Sequence, residues 1–462
     1  MNPPFTRSVG GNLLFGNAPD SDRERMQALL RRLVASPRLN VQANITAGLG
    51  SVFAAIGHRQ VKPGGQISLV LPRALLSGVA WEPTRRLLAE TCHVRYVIVS
   101  HQPGAWNFSE NTDLSECLIV AQRLRPGESA NSTKFVNLWV KPSTGVEALT
   151  VADLIRRSHG ARLDSDTGTE ELQSEGRKFG ELVTCSPEQI RSGQWGEATA
   201  FAQTELSRTA YHLARNQLYI PGRGRIADIQ LTELRDLGTV GPDRRDIHDG
   251  FRLASSTTTY PSFWGHDTSL IQHISQEPNR FLSPLARASR GRPRRDANLL
   301  WSRSGRLLVA ERLWLTTTRT VSVRLSRRVL SNTWWPLALS GAHGIRPEDI
   351  ERVLALWFNS SLGVISLVAA RVDTRGPWVE LKKPVLEGVR VLDPRSMAAA
   401  QRWTLIEAYE DLSTLDFNRL PEINRDDARS RVDSAIMRAL GLHEDLSVLR
   451  EMLATEPLMR AG

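Results

Sequence analysis

The sequence predicts an α/β region at the N-terminal end, then an α+β region, then a helical C-terminal segment. Three observations carry that order. Helix-like and strand-like segments alternate through residues 1–150, short β-like runs mix with one long apolar helix through 181–395, and helical periodicity alone occupies 396–462. At 462 residues the chain exceeds one ordinary core, and 41% hydrophobic residues are enough to fill more than one.

Each element has its own signal. Residues 23–35 and 41–60 carry amphipathic and Ala/Gly/Val-rich helical patterns, and 81–91 a third helix. The run 66–71 is short and apolar, preceded by Gly64-Gly65 and followed by Pro72, as for a buried strand. Residues 94–99, 118–121 and 135–140 predict three more strands, and strands separated by helices predict a parallel sheet. No glycine-rich strand-turn of the kind that opens a nucleotide-binding sheet occurs in this region. Residues 158–180 are polar and predict a linker, which gives domains of 1–150, a linker 151–180, 181–395 and 396–462. Within the third, 218–220, 299–301, 306–310 and 320–325 read as strands and 350–370 as helix; the last segment predicts helices over 399–412, 426–440 and 445–453.

The net charge is +10, and only six of the 59 cations are Lys. From Ser283 to Ser331 twelve Arg face only Asp296 and Glu311, so that one window equals the whole excess and points to a polyanionic partner. Cys92, Cys117 and Cys185 have no CxxC spacing, which predicts a reduced, cytoplasmic protein without structural zinc. No secretory leader is expected. Val353–Ala370 is uncharged for eighteen residues, but its centre holds Asn359, Ser360, Ser361 and Gly363, so a buried helix followed by another element is expected rather than a membrane span.

Asn2-Pro3-Pro4-Phe5 is the pattern that carries chemistry. An exocyclic amine on an aromatic base is a poor nucleophile because its lone pair is delocalised. An Asn side-chain oxygen and a neighbouring carbonyl can accept its two hydrogens and pull the nitrogen toward a tetrahedral shape. Prolines lack N–H groups and hold the carbonyls at fixed angles, and the aromatic ring offers a face for an extruded base. A simple Pro-Pro turn near a terminus would show the same four residues. After it come Lys62-Pro63-Gly64-Gly65, the strand ending Leu69-Val70-Leu71-Pro72, Val94 to Val99, Phe108 in Trp-Asn-Phe-Ser-Glu-Asn, and Ser115 to Ala121. Together these resemble adenine-N6 DNA methyltransferases of type I and combined restriction-modification systems, whose recognition domain follows the catalytic one. Gly238 to Pro242 and Leu356 to Gly363 look like parts of such recognition regions.

The resemblance implies the second half of a Rossmann-like methyltransferase sheet, a target-recognition region and a helical tail. It implies that Asn2 and Pro3 supply the two acceptors for N6, Pro4 stiffens the loop, Phe5 stacks on the flipped adenine, and Ser115–Ala121 is the closing antiparallel strand. It also implies S-adenosyl-L-methionine as methyl donor and double-stranded DNA as partner. In the family the donor pocket is built from strands that precede the motif, and no residue of this chain matches them. Met1 stands where a buried strand would end, as in a truncated reading frame or an internal methionine taken as start. The expectation is therefore an apolar open edge at residues 62–72, Asn2 on a frayed terminus, and no cofactor binding or methylation by this polypeptide alone.

In the basic window, Arg287, Arg290, Arg292, Arg294 and Arg295 share one predicted loop, and Arg319, Arg324, Arg327 and Arg328 alternate with apolar residues as on half-solvated strands. Phosphate contact is the functional reading, and an Arg-rich solvated surface the plain one. Arg290-Gly291-Arg292-Pro293 matches an AT-hook core, and Asp373 with Glu380-Leu381-Lys382 mimics a metal-dependent nuclease. The histidines lack paired ligand spacing, and the tryptophans read as core anchors. Two rivals stand beside the methyltransferase reading. One is a protein-glutamine methyltransferase, which shares Asn-Pro-Pro-aromatic but ends soon after its sheet. The other is a DNA-recognition subunit or remnant whose cofactor half comes from a separate chain.

Overall fold

The computed structural model describes residues 1–5, 14–36, 41–110, 112–265, 268–288, 292–341 and 344–460. The chain forms two compact units, one of residues 1–207 with 372–376 and 462, the other of 208–371 with 377–461.

The first unit is built on a six-stranded sheet of β1 (Gln66–Pro72), β2 (Cys92–Ser100), β3 (Glu116–Arg123), β4 (Thr133–Leu138), β5 (Glu171–Ser174) and β6 (Arg177–Cys185). All four strands expected from the apolar runs are present. Their order is β1-β3-β2-β4-β6-β5, and the parallel expectation fails for most pairs. β3 lies antiparallel between β1 and β2, β2 and β4 are parallel, and β6 is antiparallel to both β4 and β5. The connections explain this. A helical crossover returns a strand in the same direction, and α3 (Glu82–Thr91) supplies one between β1 and β2. No described residue between β2 and β3 or between β3 and β4 is helical.

The stretch 158–180, expected as a linker, holds β5 and the start of β6. Its apolar residues Leu172 and Phe179 are buried in one cluster with Leu182, further along β6, and with Val151 and Ile155 of α4 (Gly145–Arg157). The exposed residues of the turn, Gln173 and 175–177, made a strand pair read as a loop. Helix α1 (Asp20–Val34) starts three residues before the helical pattern of 23–35, and α2 (Leu49–Gln60) occupies the later part of the pattern of 41–60. Gly64 opens the turn into β1 at φ +82, a conformation that favours glycine, and its N–H reaches the Arg123 carbonyl at 2.7 Å.

In the second unit an eight-stranded sheet contains, in neighbouring order, Gly238–Val240, Trp334–Leu339, Gly305–Ala310, Ser322–Ser331, Tyr260–Phe263, Arg280–Pro284 and Phe251–Leu253, with Ser275–Gln276 beside Ser322–Ser331. Residues 299–301, expected as strand, are instead part of the helix Ala297–Trp301, whose first amides are capped by Asp296. The apolar helix is broken into Pro347–Asn359 and Ser361–Ala370, bent by 77°, and both pieces are almost wholly buried. Among the described residues no single helix is long and apolar enough to cross a membrane. At the break Ser360 caps Gly363, and a Cβ on Gly363 would lie 1.9 Å from the Trp357 carbonyl oxygen. The last three helices, Ala399–Leu412, Asp427–Ala439 and Ser447–Thr455, agree closely with their expected spans.

Candidate functional site

The Asn-Pro-Pro-Phe loop begins beside β1. The Met1 ammonium donates to the Ser68 carbonyl at 2.6 Å, and the Val70 N–H donates to the Met1 carbonyl at 3.0 Å. This pair of bonds around Leu69 is the parallel-bridge pattern, so Met1 occupies one residue of a strand position outside β1. Its side chain lies over Gly57 of α2, where a Cβ would meet the Met1 methyl at 2.3 Å. Asn2 was expected on a frayed terminus; instead, two backbone bonds hold the residue before it. Its side-chain amide is held as well, with Nδ2 donating to Ser109 Oγ at 2.9 Å. Pro3 is buried, Phe5 half-buried, and Asn2 and Pro4 exposed.

Ser109 belongs to the connection between β2 and β3, and that connection is anchored at both ends. At its start the buried His101 lies 3.2 Å from Asn137 Oδ1 and 3.4 Å from the buried Arg73, which also donates to the Thr199 carbonyl at 2.6 Å. At its end the fully buried Glu116 accepts the Phe108 and Ser109 N–H groups on Oε2, at 2.5 and 2.7 Å. Its other oxygen, Oε1, is buried with no hydrogen-bond partner among the described residues. Lys141 donates to the Asn107 carbonyl and stands 5.7 Å from the Phe108 ring centroid. Phe108 itself packs against the cluster of Val136, Leu138 and Phe179. The sequence signal for Glu116 was a carboxylate opening an apolar strand, a place where burial demands partners; Ser109 had no signal of its own.

Chemically, the bond from Nδ2 to Ser109 orients the Asn2 amide, and its Oδ1 is the atom that can accept a hydrogen bond. β1 is the outermost strand of the sheet, and the buried carboxylate of this loop is turned to backbone amides. Cys92, Cys117 and Cys185 are free and buried, and burial pushes the Cys117 and Cys185 thiols up to about 12. Neither offers a nucleophile.

The basic window of the second unit separates into different environments. Arg324, whose side chain is 12% exposed, is paired to Glu351 at 3.0 Å and lies over the Tyr409 ring, and Arg319 donates to the Phe417 carbonyl at 3.0 Å. Burial pushes the Glu351 carboxyl up, against the pull of Arg324 and Arg306. Arg324 thus faces inward, because on the Ser322–Ser331 strand the helix Pro347–Asn359 covers the face that was expected to be solvated. Arg328 reaches the Ser302 and Ser304 carbonyls at 3.1 and 3.0 Å, just past the helix Ala297–Trp301. Arg292 pairs with Asp249 at 3.4 Å and Arg295 with Asp246 at 2.8 Å, while Arg294 donates to the Leu285 carbonyl at 3.1 Å. Arg287 and Arg327 are exposed. Arg290, and with it the AT-hook pattern, lies outside the described residues.

Glu380 is taken by Lys382 at 2.6 Å and Arg312 at 3.7 Å, and the side chain of Asp373 lies outside the description. Among the described residues no group of three His, Cys, Asp or Glu could hold a metal ion.

No protein-family profile matches the sequence, and no curated protein matches it. Solved structures do. The chain is similar to the type IIG restriction endonuclease BpuSI, at 12% identity and a TM-score of 0.32, over 96% of this chain and 53% of that one. It is also similar to the methyltransferase subunit of a type I restriction-modification system from Streptococcus thermophilus, at 16% identity and 0.26, over 35% of this chain and 32% of that one. A third is the ATP-dependent type ISP restriction-modification enzyme LlaBIII bound to DNA, at 10% identity and 0.34, over 89% of this chain and 29% of that one. The chain therefore spans about half, or less, of the solved chains it matches.

Proposed function

We propose that this chain is the catalytic-loop and DNA-recognition part of an S-adenosylmethionine-dependent adenine-N6 DNA methyltransferase of a restriction-modification or phage-defence system. The observation that carries the reading is the held Asn2 amide beside β1. With Nδ2 bound to Ser109, Oδ1 is the free acceptor for one N6 hydrogen, and the Pro3 carbonyl takes the other. Pro4 stiffens the loop, and Phe5 stacks on the extruded adenine. Residues 1–150 would hold the base and 181–395 read the duplex, with 396–462 as its helical support.

The donor pocket is the part these residues do not make. Bound S-adenosylmethionine supplies the methyl group; this chain's own residues orient the nitrogen and shape its acceptors. A cofactor half, in the same polypeptide or on a separate chain, would pair along the outer edge of β1, continuing the parallel bridge that Met1 begins. The same open edge favours, as second reading, a recognition subunit that is inactive until a partner completes the sheet.

Transfer of tritium from labelled S-adenosylmethionine to adenine in duplex DNA tests both. The expected result is no transfer by the 462 residues alone, transfer once a cofactor half is added, and loss of that transfer in Asn2→Ala. Transfer by the chain alone would remove the open-edge argument. Transfer unaffected by Asn2→Ala would remove the assigned role of the loop.

A further inference from the structure

Beyond the arginines of the basic window, we infer that a duplex-DNA phosphate-binding face is centred on the short helix Arg244–Gly250 and the edge strand after it, with Arg244, Arg245 and Arg252 as its contacts. The inference rests on the DNA-recognition reading above. It starts from a juxtaposition that sequence order conceals. Residues 285–288 and 292–296 lie against this helix: the Leu285 N–H donates to the Gly250 carbonyl at 2.9 Å and the Arg295 N–H to the Asp249 carbonyl at 3.0 Å. Two ion pairs, Arg292 with Asp249 and Arg295 with Asp246, fasten the loop side chains to the helix. The helix and the strand after it stand on one apolar cluster, in which Ile247 and Phe251 pack with Leu282, Leu300 and Leu330, so a packed core fixes their spacing.

The charge balance of that body is one-sided. Residues 243–252 and the described part of 285–296 hold seven arginines and four aspartates. Asp246 and Asp249 are spent on the loop, and Asp296 caps the helix that follows it. Among the described residues Arg244 bonds only to His248, at 3.3 Å. Arg245 has a loose contact with Asp243 at 3.6 Å with its own side chain 77% exposed, and Arg252 is exposed on the edge strand. Three guanidinium groups on a rigid body, none held by a tight carboxylate, suit the regularly spaced phosphates of a duplex. His248 adds no charge near neutrality, since burial, then the neighbouring Arg244, lowers its pKa against the pull of Asp249. An acidic protein is the competing occupant, and salt-dependent binding to plain duplex separates the two.

The full chain and an Arg244→Ala/Arg245→Ala/Arg252→Ala variant are titrated onto a labelled 30-base-pair duplex at several salt concentrations. An Arg431→Ala/Arg438→Ala variant, altered on an exposed helix face elsewhere in the unit, serves as control. The triple variant is expected to bind about tenfold or more weakly and to lose between about two and three from the log–log salt slope, since each phosphate contact contributes about 0.9. The control keeps both values. A triple variant with wild-type affinity and slope, on a chain that binds DNA and melts normally, overturns this face. Wild-type chain that binds no duplex even at low salt overturns the recognition reading beneath it.

Discussion

Arg429 and Arg252 carry the same charge in the same unit and do opposite work. Arg429 is fully buried. It pairs with Asp426 at 2.8 Å and donates to the Asn359 carbonyl at 2.9 Å and the Arg319 carbonyl at 2.7 Å. Nearby, Asp433 accepts from the Ser361 N–H at 2.8 Å and pairs with Arg450 at 2.7 Å. Arg252 instead stands exposed on an edge strand. A guanidinium taken out of water must be matched group by group, so it becomes part of the packing; one left in water is free to meet a ligand. Arginine content therefore says little about nucleic-acid binding until burial divides it.

The most severe way to test that division is Arg429→Ala, which leaves Asp426 buried without its cation. A loss of about 3–5 kcal/mol in denaturant unfolding is expected, against less than about 0.5 kcal/mol for Arg252→Ala. Similar losses for the two would erase the distinction. Next in size is the Arg324–Glu351 pair, nearly as buried. A double-mutant cycle with Arg324→Met and Glu351→Gln should return a coupling of about 1–3 kcal/mol, and DNA affinity should not change in any variant that stays folded. Reduced affinity there would return Arg324 to the binding surface.

Glu116 carries the comparison into the first unit, where a buried anion plays the anchoring part. Glu116→Ala should release the Phe108 and Ser109 amides, at a cost of about 1–3 kcal/mol for the groups left unsatisfied. Glu116→Gln can still present one oxygen to both N–H groups and should keep most of that stability. Amide hydrogen exchange read at Phe108 and Ser109 distinguishes the cases: fast in Ala, slow in Gln. Equal exchange in all three chains would mean the carboxylate does not hold the loop.

The division also accounts for what could be read in the residues beforehand. The strands at 66–72, 92–100, 116–123 and 133–138 announced themselves because apolar runs bounded by Gly and Pro leave few alternatives. Their order did not, since β3 enters between β1 and β2 only when the sheet closes. The Asn2 loop was legible because the chemistry needs those residue types side by side, whereas its partner Ser109 is 107 residues away and has no local signature. Arg324 was misread for a related reason. Alternation on Ser322–Ser331 reports that the two faces differ, not that one is wet, and the helix Pro347–Asn359 covers the face that was assumed free.

The smallest expected effect concerns His58 on α2, a cation site that burial keeps neutral. It is buried and shares a 2.9 Å hydrogen bond with Thr91 Oγ1. Burial first, then the Arg123 guanidinium, lowers its pKa below the ordinary 6.5. A group whose folded pKa is depressed contributes stability that is present above the unfolded value and lost as pH falls through the folded one. Stability should thus be flat above about pH 7 and decline, by less than one proton's slope, as pH falls below 6.5. Carboxylates dominate only further down, near pH 4. His58→Gln keeps a hydrogen-bonding group toward Thr91 without a titrating ring, so it should remove the decline that sets in below pH 6.5 while leaving the neutral plateau close to wild type. A decline that persists in that variant would assign it elsewhere, and His58 would then join the residues whose burial has no consequence for pH.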